Sequence, residues 1–172
     1  MSNRQRVHDL WWNKKLRRHQ KEMINAIMSN RFVAVLGARQ RGKTTAIGYA
    51  AQMLAQGMLW RLRDGSKITI PSDDVQLASQ TLKHAKDFVK RSARILNTFN
   101  VGLSENTAAA NIFDNRIGST ERILLANGKS IHAHSGSPSS IQGLSGHVIA
   151  DEVASNKHPA EEIFQQGISV AS

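Results

Sequence analysis

Residues 31–45 of the chain read Arg-Phe-Val-Ala-Val-Leu-Gly-Ala-Arg-Gln-Arg-Gly-Lys-Thr-Thr, and this stretch decides the fold. Gly37, four further residues and then Gly42-Lys43-Thr44 match the G-x-x-x-x-G-K-[ST] pattern of a phosphate-binding loop. The pattern is informative only when a strand precedes it and a helix follows it. The apolar residues 32–36 predict a buried strand, and residues 44–58 predict a helix because apolar side chains recur at helical spacing: Ile47, Ala51 and Leu54.

The residue types of this loop suit a nucleoside triphosphate. Glycine at both ends allows backbone conformations that a side chain obstructs, so amide groups can point at phosphate together with the positive end of the next helix. Lys43 is then expected to reach the β- and γ-phosphates, and the Thr44 hydroxyl to bind Mg²⁺. The alternative is a chance match in a glycine turn. The candidate nucleotide-binding residues are Gly37, Ala38, Arg39, Gln40, Arg41, Gly42, Lys43, Thr44 and Thr45.

A second stretch, residues 147–152, is a short apolar run that ends in Asp151 and Glu152. In phosphate-loop proteins an Asp at such a strand end holds Mg²⁺, here opposite Thr44. A neighbouring Glu can act as a general base toward the attacking water. We therefore expect Asp151 to be a metal ligand and Glu152 to be catalytic. The alternative is two acids that only face solvent.

Composition limits the partners and the compartment. Lys and Arg total 23 against 13 Asp and Glu, a net charge of +10 that favours a polyanionic partner. The chain has no cysteine, which excludes disulfides and thiolate metal sites and fits a reducing cytoplasm. No apolar run approaches the length of a membrane span, and the first residues lack the core of a signal peptide.

Two basic segments are candidate contacts for double-stranded DNA. The helix predicted over residues 81–97 has four cations on one face, which either contact phosphates or are simply solvated: Lys83, Lys86, Lys90 and Arg94. Residues 3–21 are also basic and include Trp11 and Trp12. These tryptophans either stack on nucleic acid or pack on the domain, and we favour packing.

Four further patterns complete the sequence. Residues 14–29 predict a helix, in which Gln20 stands on or beside the apolar stripe; its amide suits either the adenine edge or a half-exposed helix position. Residues 59–70 predict a hairpin, and residues 75–79 a strand. Asn127-Gly128 predicts a second hairpin, over residues 121–134, with a type I′ turn. His132 and His134 share a strand face there, and we favour surface histidines over a metal pair because no third ligand is apparent.

Together these stretches resemble the ATPase domain of a bacteriophage large terminase subunit, the motor that pumps DNA into a procapsid. Leu16-Arg17-Arg18-His19-Gln20 resembles the family's adenine-binding segment. Residues 38–44 resemble its Arg-Gln-x-Gly-Lys-Thr form of the loop, and Val148-Ile149-Ala150-Asp151-Glu152 resembles its Mg²⁺ and catalytic-glutamate strand. His158-Pro159 followed by a predicted helix fits the next segment.

The resemblance implies an α/β fold, a mostly parallel sheet flanked by helices, in a P-loop NTPase of the additional-strand, catalytic-glutamate type. ATP and Mg²⁺ are the implied ligands. The implied catalytic residues are Glu152, Lys43 and Arg39, of which the arginine matches one implicated in catalysis or in sensing the γ-phosphate. Implied partners are double-stranded DNA, the small terminase subunit, the portal protein and other copies in a ring. The implied location is the host cytoplasm.

The sequence also departs from the family. Gln142-Gly143 stands where the family often has Arg-Gly, and neither the coupling motif nor the nuclease domain follows. We expect a single ATPase domain over residues 1–172, with a basic arm at 1–13 and an incomplete C-terminus. A helicase-like ATPase, a small-molecule kinase and a non-catalytic nucleotide-binding assembly module remain alternatives, of which the kinase fits least.

Overall fold

The computed structural model describes residues 8–31, 33–35, 42–62, 64–100, 122–125, 127–141 and 145–151. Residues 8–10 are helical and lead into a π-helical turn, Trp11–Lys15. The helices are α1 (Arg18–Ser29), α2 (Lys43–Gln56), α3 (Leu82–Asn100) and the short α4 (Pro138–Ile141). The strands are β1 (Met58–Arg61), β2 (Lys67–Ile70), β3 (Val75–Ser79), β4 (Arg122–Leu124), β5 (Ser130–Ser135) and β6 (His147–Asp151).

Within the described ranges the main sheet has four strands, in the order β4-β5-β3-β6. β3 lies between β5 and β6 and runs parallel to both, whereas β4 is antiparallel to β5. Every residue of β3 is buried, as a strand with neighbours on both sides and helices beside it should be. The chain is therefore α/β with a mostly parallel sheet flanked by helices, as the sequence predicts.

Helix α2 is the centre of the core. All its residues from Ala46 to Ala55 are buried, because it contacts α1, α3 and the sheet. Small side chains let these elements approach closely: a Cβ added at Gly48 would stand 3.4 Å from the Ser92 hydroxyl of α3. A helix that is buried on every face requires apolar or small side chains on every face, and many residues of α2 are alanines.

Two hydrogen bonds fix the direction of α2 against the sheet. The Asp73 N–H donates to the Leu54 carbonyl (3.3 Å), and the Asn127 side chain donates to the Ala55 carbonyl (2.9 Å). Asp73 precedes β3 and Asn127 precedes β5, so α2 ends at the amino edge of the parallel strands. Its 14 residues span roughly 20 Å, and its first residue, Lys43, is therefore directed to the carboxyl edge.

Both predicted hairpins are present in the structure. β1 pairs with β2 and β4 with β5, each antiparallel. In the second hairpin Leu125 and Lys129 close the turn, and Gly128 has a φ of 81° and donates to the Leu125 carbonyl. One residue more than a type I′ turn lies between the closing pair, so the type I′ prediction is wrong.

The predicted strand at residues 32–36 is not formed in its described part. Val33, Ala34 and Val35 lie outside every strand, and Val35 is 43% exposed. A strand needs a partner for its ladder of hydrogen bonds, and the described strands offer these residues none. The prediction of a buried strand here is therefore wrong for residues 33–35. The frequent small and polar residues of segments 98–120 and 135–145 predict loops. The helix α3 nevertheless extends to Asn100, and the short helix α4 lies within the second segment.

The two tryptophans before α1 pack on the domain, as favoured from the sequence. Trp12 meets Trp60 of β1 edge to face, with ring centroids 5.2 Å apart, and Trp11 lies against Tyr49 of α2. The Tyr49 hydroxyl is also hydrogen-bonded to the His8 imidazole, and burial raises the pKa of this tyrosine. Within the described ranges, no helix is long and apolar enough to cross a membrane.

Replacing Gly146 by alanine tests the packing of β6 on the rest of the sheet. Gly146 has a φ of 91°, and a Cβ there would overlap the Asp74 carbonyl oxygen. The clash and the left-handed backbone together should lower the free energy of unfolding by about 2–4 kcal/mol. Gly128→Ala is the control, because its φ is 81° but nothing lies within 4 Å. Urea unfolding should show a loss of only about 1 kcal/mol there; equal losses would contradict the close approach.

Candidate functional site

The start of α2 has the geometry of a loop that enters a helix. Gly42 is the N-cap, with φ 75° and ψ 24°, and its carbonyl accepts the first helical hydrogen bond from the Ala46 N–H (3.2 Å). The N–H groups of Thr44 and Thr45 precede that bond and have no acceptor within the helix. The sequence prediction that a helix follows the glycine-lysine pair is confirmed.

The charge at this helix end favours an anion. The first turn of α2 contains no acidic residue, and its first residue is Lys43. A cation at the positive end of a helix dipole is unfavourable by about 0.3–1 kcal/mol, so it does not serve helix stability. A bound anion would be attracted both by the dipole and by the lysine. Residues 42–45 are half-buried, which strengthens such an attraction.

The Gln20 side chain of α1 is hydrogen-bonded to this loop. Its side chain is only 6% exposed; its Nε2 donates to the Gly42 carbonyl (2.9 Å), and its Oε1 accepts from the Arg17 N–H (2.9 Å). A Cβ on residue 42 would stand 2.5 Å from Nε2, so both the backbone conformation and this contact require glycine. One N–H and one lone pair of the amide remain for adenine, and that role stays a prediction.

Three strand ends form a row at the carboxyl edge of the sheet. Ser79 of β3 is in register with Ser135 of β5 and with Asp151 of β6. Because side chains alternate along a strand, these three point to one face, which is also the face of Leu77 and Ile149. Leu77 belongs to the core formed with α2 and α3, and Ile149 packs against it. Sequence reasoning found Asp151 but missed Ser79, whose only signal was its place at the end of a strand.

The described parts of the two predicted halves, residues 42–45 and Asp151, are thus directed to one edge of the sheet. The first residue of α2 is directed there, α2 contacts β6, and β6 ends there in the half-buried Asp151. A comparison with protein-family models finds no match, and a comparison with curated proteins finds none either. Residues 37–41 and Glu152 lie outside the described residues, so the roles of Arg39 and Glu152 stay predictions.

The donors at this edge suit Mg²⁺ as an ion shared with phosphate. Mg²⁺ usually binds one or two carboxylates together with substrate phosphates and several waters. Thr44 and Asp151 offer a hydroxyl and a carboxylate of this kind. Over the described ranges no three or more His, Cys, Asp or Glu residues form a metal cluster, so a cage built from such residues alone is not available there.

The opposite face of the sheet carries a separate polar network. Asp74 accepts from the Ser130 hydroxyl (2.6 Å) and N–H (2.7 Å), and that hydroxyl accepts in turn from His132 Nε2 (2.7 Å). His134 Nε2 donates to Gln76 (2.7 Å), and its ring stacks on that of His132, with centroids 6.0 Å apart. The shared face of the two histidines is confirmed, and their Nε2 atoms bind neighbouring side chains.

The predicted DNA-contacting face of α3 is turned outward in its described part. Lys83 and Lys90 are exposed and Lys86 is half-buried, whereas Phe88 and its neighbours face the core. The pair between Lys90 and Asp87 (3.7 Å) is exposed on both sides, so it neutralises little of this charge. The side chain of Arg94 lies outside the described residues.

The half-buried histidines predict how stability depends on pH. Burial lowers the pKa of His132, with the positive charges of Arg122 and His134 adding to it, and burial also lowers the pKa of His147. The unfolded chain then binds protons at a higher pH than the folded chain. The contribution of these two histidines to the free energy of unfolding is fully present above the ordinary histidine pKa of about 6.5, and it decreases as the pH falls below that value.

The urea concentration at the unfolding midpoint should therefore decrease as the pH is lowered from about 7 to about 5. The decrease should be smaller in the His147→Asn variant. The lowered pKa of Asp74, caused mainly by the Ser130 hydroxyl, acts in more acidic solution and is separable. A midpoint that does not change between those two pH values would contradict the lowered histidine pKa values.

Proposed function

We propose that this chain is the ATPase domain of a bacteriophage large terminase subunit, which hydrolyses ATP to move double-stranded DNA into a procapsid. The observation that carries the proposal is the shared edge of the sheet. The glycine-capped, lysine-first end of α2 is directed to the edge at which β6 ends in Asp151. In open α/β sheets, ligands bind at the carboxyl ends of the strands.

Each residue of the proposed site has a chemical role. The loop at residues 37–45 would surround the phosphates with N–H groups, and Lys43 would bind the β- and γ-phosphates. Thr44 and Asp151 would hold Mg²⁺, which when bound neutralises phosphate charge. Glu152 would take a proton from the attacking water, and Arg39 would stabilise the charge that develops as the γ-phosphate leaves. This assignment makes the fold a P-loop NTPase of the catalytic-glutamate type.

Gln20 has two compatible roles in this proposal. Its contact with Gly42 holds the loop in the conformation that starts α2. The remaining hydrogen-bonding positions of its amide suit the adenine edge, as the resemblance implies. One amide would then contact both the adenine base and the loop that binds the phosphates. Binding of the base would therefore affect the conformation of the loop.

Double-stranded DNA is the proposed macromolecular partner. The net charge of +10 and the exposed Lys83 and Lys90 of α3 support attraction to phosphate. The small terminase subunit, the portal protein and further copies in a ring are partners that only the family resemblance suggests. The same resemblance suggests the cytoplasm of the host cell as the place of action.

Replacing Lys43 by alanine should weaken ATP binding without unfolding the domain. The affinity for ATP should fall at least tenfold, because the β- and γ-phosphates lose their cation. The variant should remain folded and unfold cooperatively in urea, because Lys43 is not among the buried residues of α2. Lys90→Ala is the matched control, on an exposed part of α3. Full ATP affinity in the Lys43 variant, measured by calorimetry, would overturn the site.

A helicase-like ATPase and a non-catalytic nucleotide-binding assembly module are the alternatives. Phosphate release should be measured with and without duplex or single-stranded DNA, for the protein and for Glu152→Gln. We expect duplex DNA to stimulate release, Glu152→Gln to abolish it, and DNA affinity to fall steeply with salt. Stimulation by single strands alone would favour the helicase-like enzyme. ATP binding without release in either protein would favour the assembly module.

A further inference from the structure

A buried hydroxyl at the carboxyl edge has no partner in the described part of the chain. Ser79 is 2% exposed, and its Oγ makes no hydrogen bond there. An unsatisfied buried hydroxyl costs about 1–3 kcal/mol, and one in a folded protein calls for an explanation such as an ion or a water. The end of the neighbouring strand differs, because the Ser135 hydroxyl is hydrogen-bonded to Ser140 (2.6 Å).

Two other buried side chains, Ser92 and Gln52, have polar atoms without a partner among the described residues, and both lie within helices. Ser92 is fully buried on α3, ten residues beyond the start of that helix, at its crossing with Gly48 of α2. Gln52 is fully buried in the middle of α2. Ser79 differs from both because it ends a strand, at the edge toward which the positive end of α2 is directed.

The spacing of Ser79 and Asp151 suits a shared water. The two residues are paired in adjacent parallel strands and point to the same face. Backbones of adjacent strands are about 4.8 Å apart, so paired side chains can either meet directly or hold one water between them. The Ser79 hydroxyl makes no direct hydrogen bond to the described residues, Asp151 included, which favours the arrangement with a water. A water that donates one proton to the carboxylate can donate the other to the serine oxygen.

We propose that Ser79 is a positioning residue of the nucleotide site, and that its hydroxyl holds a water of the Mg²⁺ hydration shell beside Asp151. The inference rests on the proposed function, because it requires a metal–nucleotide complex at this edge. Ser79 would act through that water rather than touch the reacting atoms. Mg²⁺ keeps several waters when it binds to proteins, so an additional group that orients one of them should strengthen its binding.

Ser79→Ala tests this inference, with Ser92→Ala as the matched control. The readout is the equilibrium affinity for ATP, measured by calorimetry with Mg²⁺ and again with EDTA. Ser79→Ala should weaken binding about five- to tenfold with Mg²⁺ and leave it unchanged with EDTA. Ser92→Ala should change neither. Both variants should keep or raise the urea midpoint, because each removes a buried hydroxyl that has no partner among the described residues.

Each other result has a defined meaning. If Ser79→Ala binds ATP as tightly as the wild-type protein in the presence of Mg²⁺, the proposed role of Ser79 is wrong. The proposed function is not affected by that result. An equal loss with and without Mg²⁺ would indicate a structural role and also overturn the inference. Absence of ATP binding by the wild-type chain would overturn the proposed function as well. Should alanine unfold the domain, Ser79→Cys keeps the volume, hydrogen-bonds weakly and should give the same Mg²⁺-dependent loss.

Discussion

The two hydrogen bonds that Asp73 and Asn127 donate to the last carbonyls of α2 constrain the rest of the structure. They hold the C-terminal end of the helix at the amino edge of the sheet, so its positive end is directed to the opposite edge. A helix that ends where the parallel strands begin has its first residue toward the edge where those strands end. The candidate site is therefore a consequence of the direction of one buried helix.

Burial explains why particular polar residues occur around this helix. Gln20 would be costly inside an apolar stripe if its amide had no partners, and its two bonds to Gly42 and Arg17 offset that cost. Ser79 lies in an equally buried place but has no partner within the described ranges. The first side chain is explained by contacts within the described part of the fold, and for the second we propose a water of bound Mg²⁺ as the partner.

Periodicity predicted the elements whose local pattern agreed with their surroundings. Residues 75–79 form a strand with the predicted bounds, and the stretch predicted over 147–152 forms a strand over 147–151. The helices α2 and α3 agree with their predictions within about three residues, whereas α1 starts at Arg18 instead of residue 14. Residues 33–35 are as apolar but form no strand, because a strand depends on a neighbour that no local pattern specifies. The longer turn at Gly128 has a similar origin, since the register of the two strands decides which pair closes it.

The sequence by itself determined the α/β class, the glycine-lysine loop leading into a helix, and a strand that ends in Asp151, because these depend on residue type and spacing. It also singled out Gln20, as a polar residue on an apolar stripe. Only the tertiary structure decided that Gln20 binds Gly42, that Ser79 stands beside Asp151, and that both halves of the site share one edge. Those facts depend on contacts between residues far apart in the chain, which are fixed by packing and register and not by the local pattern.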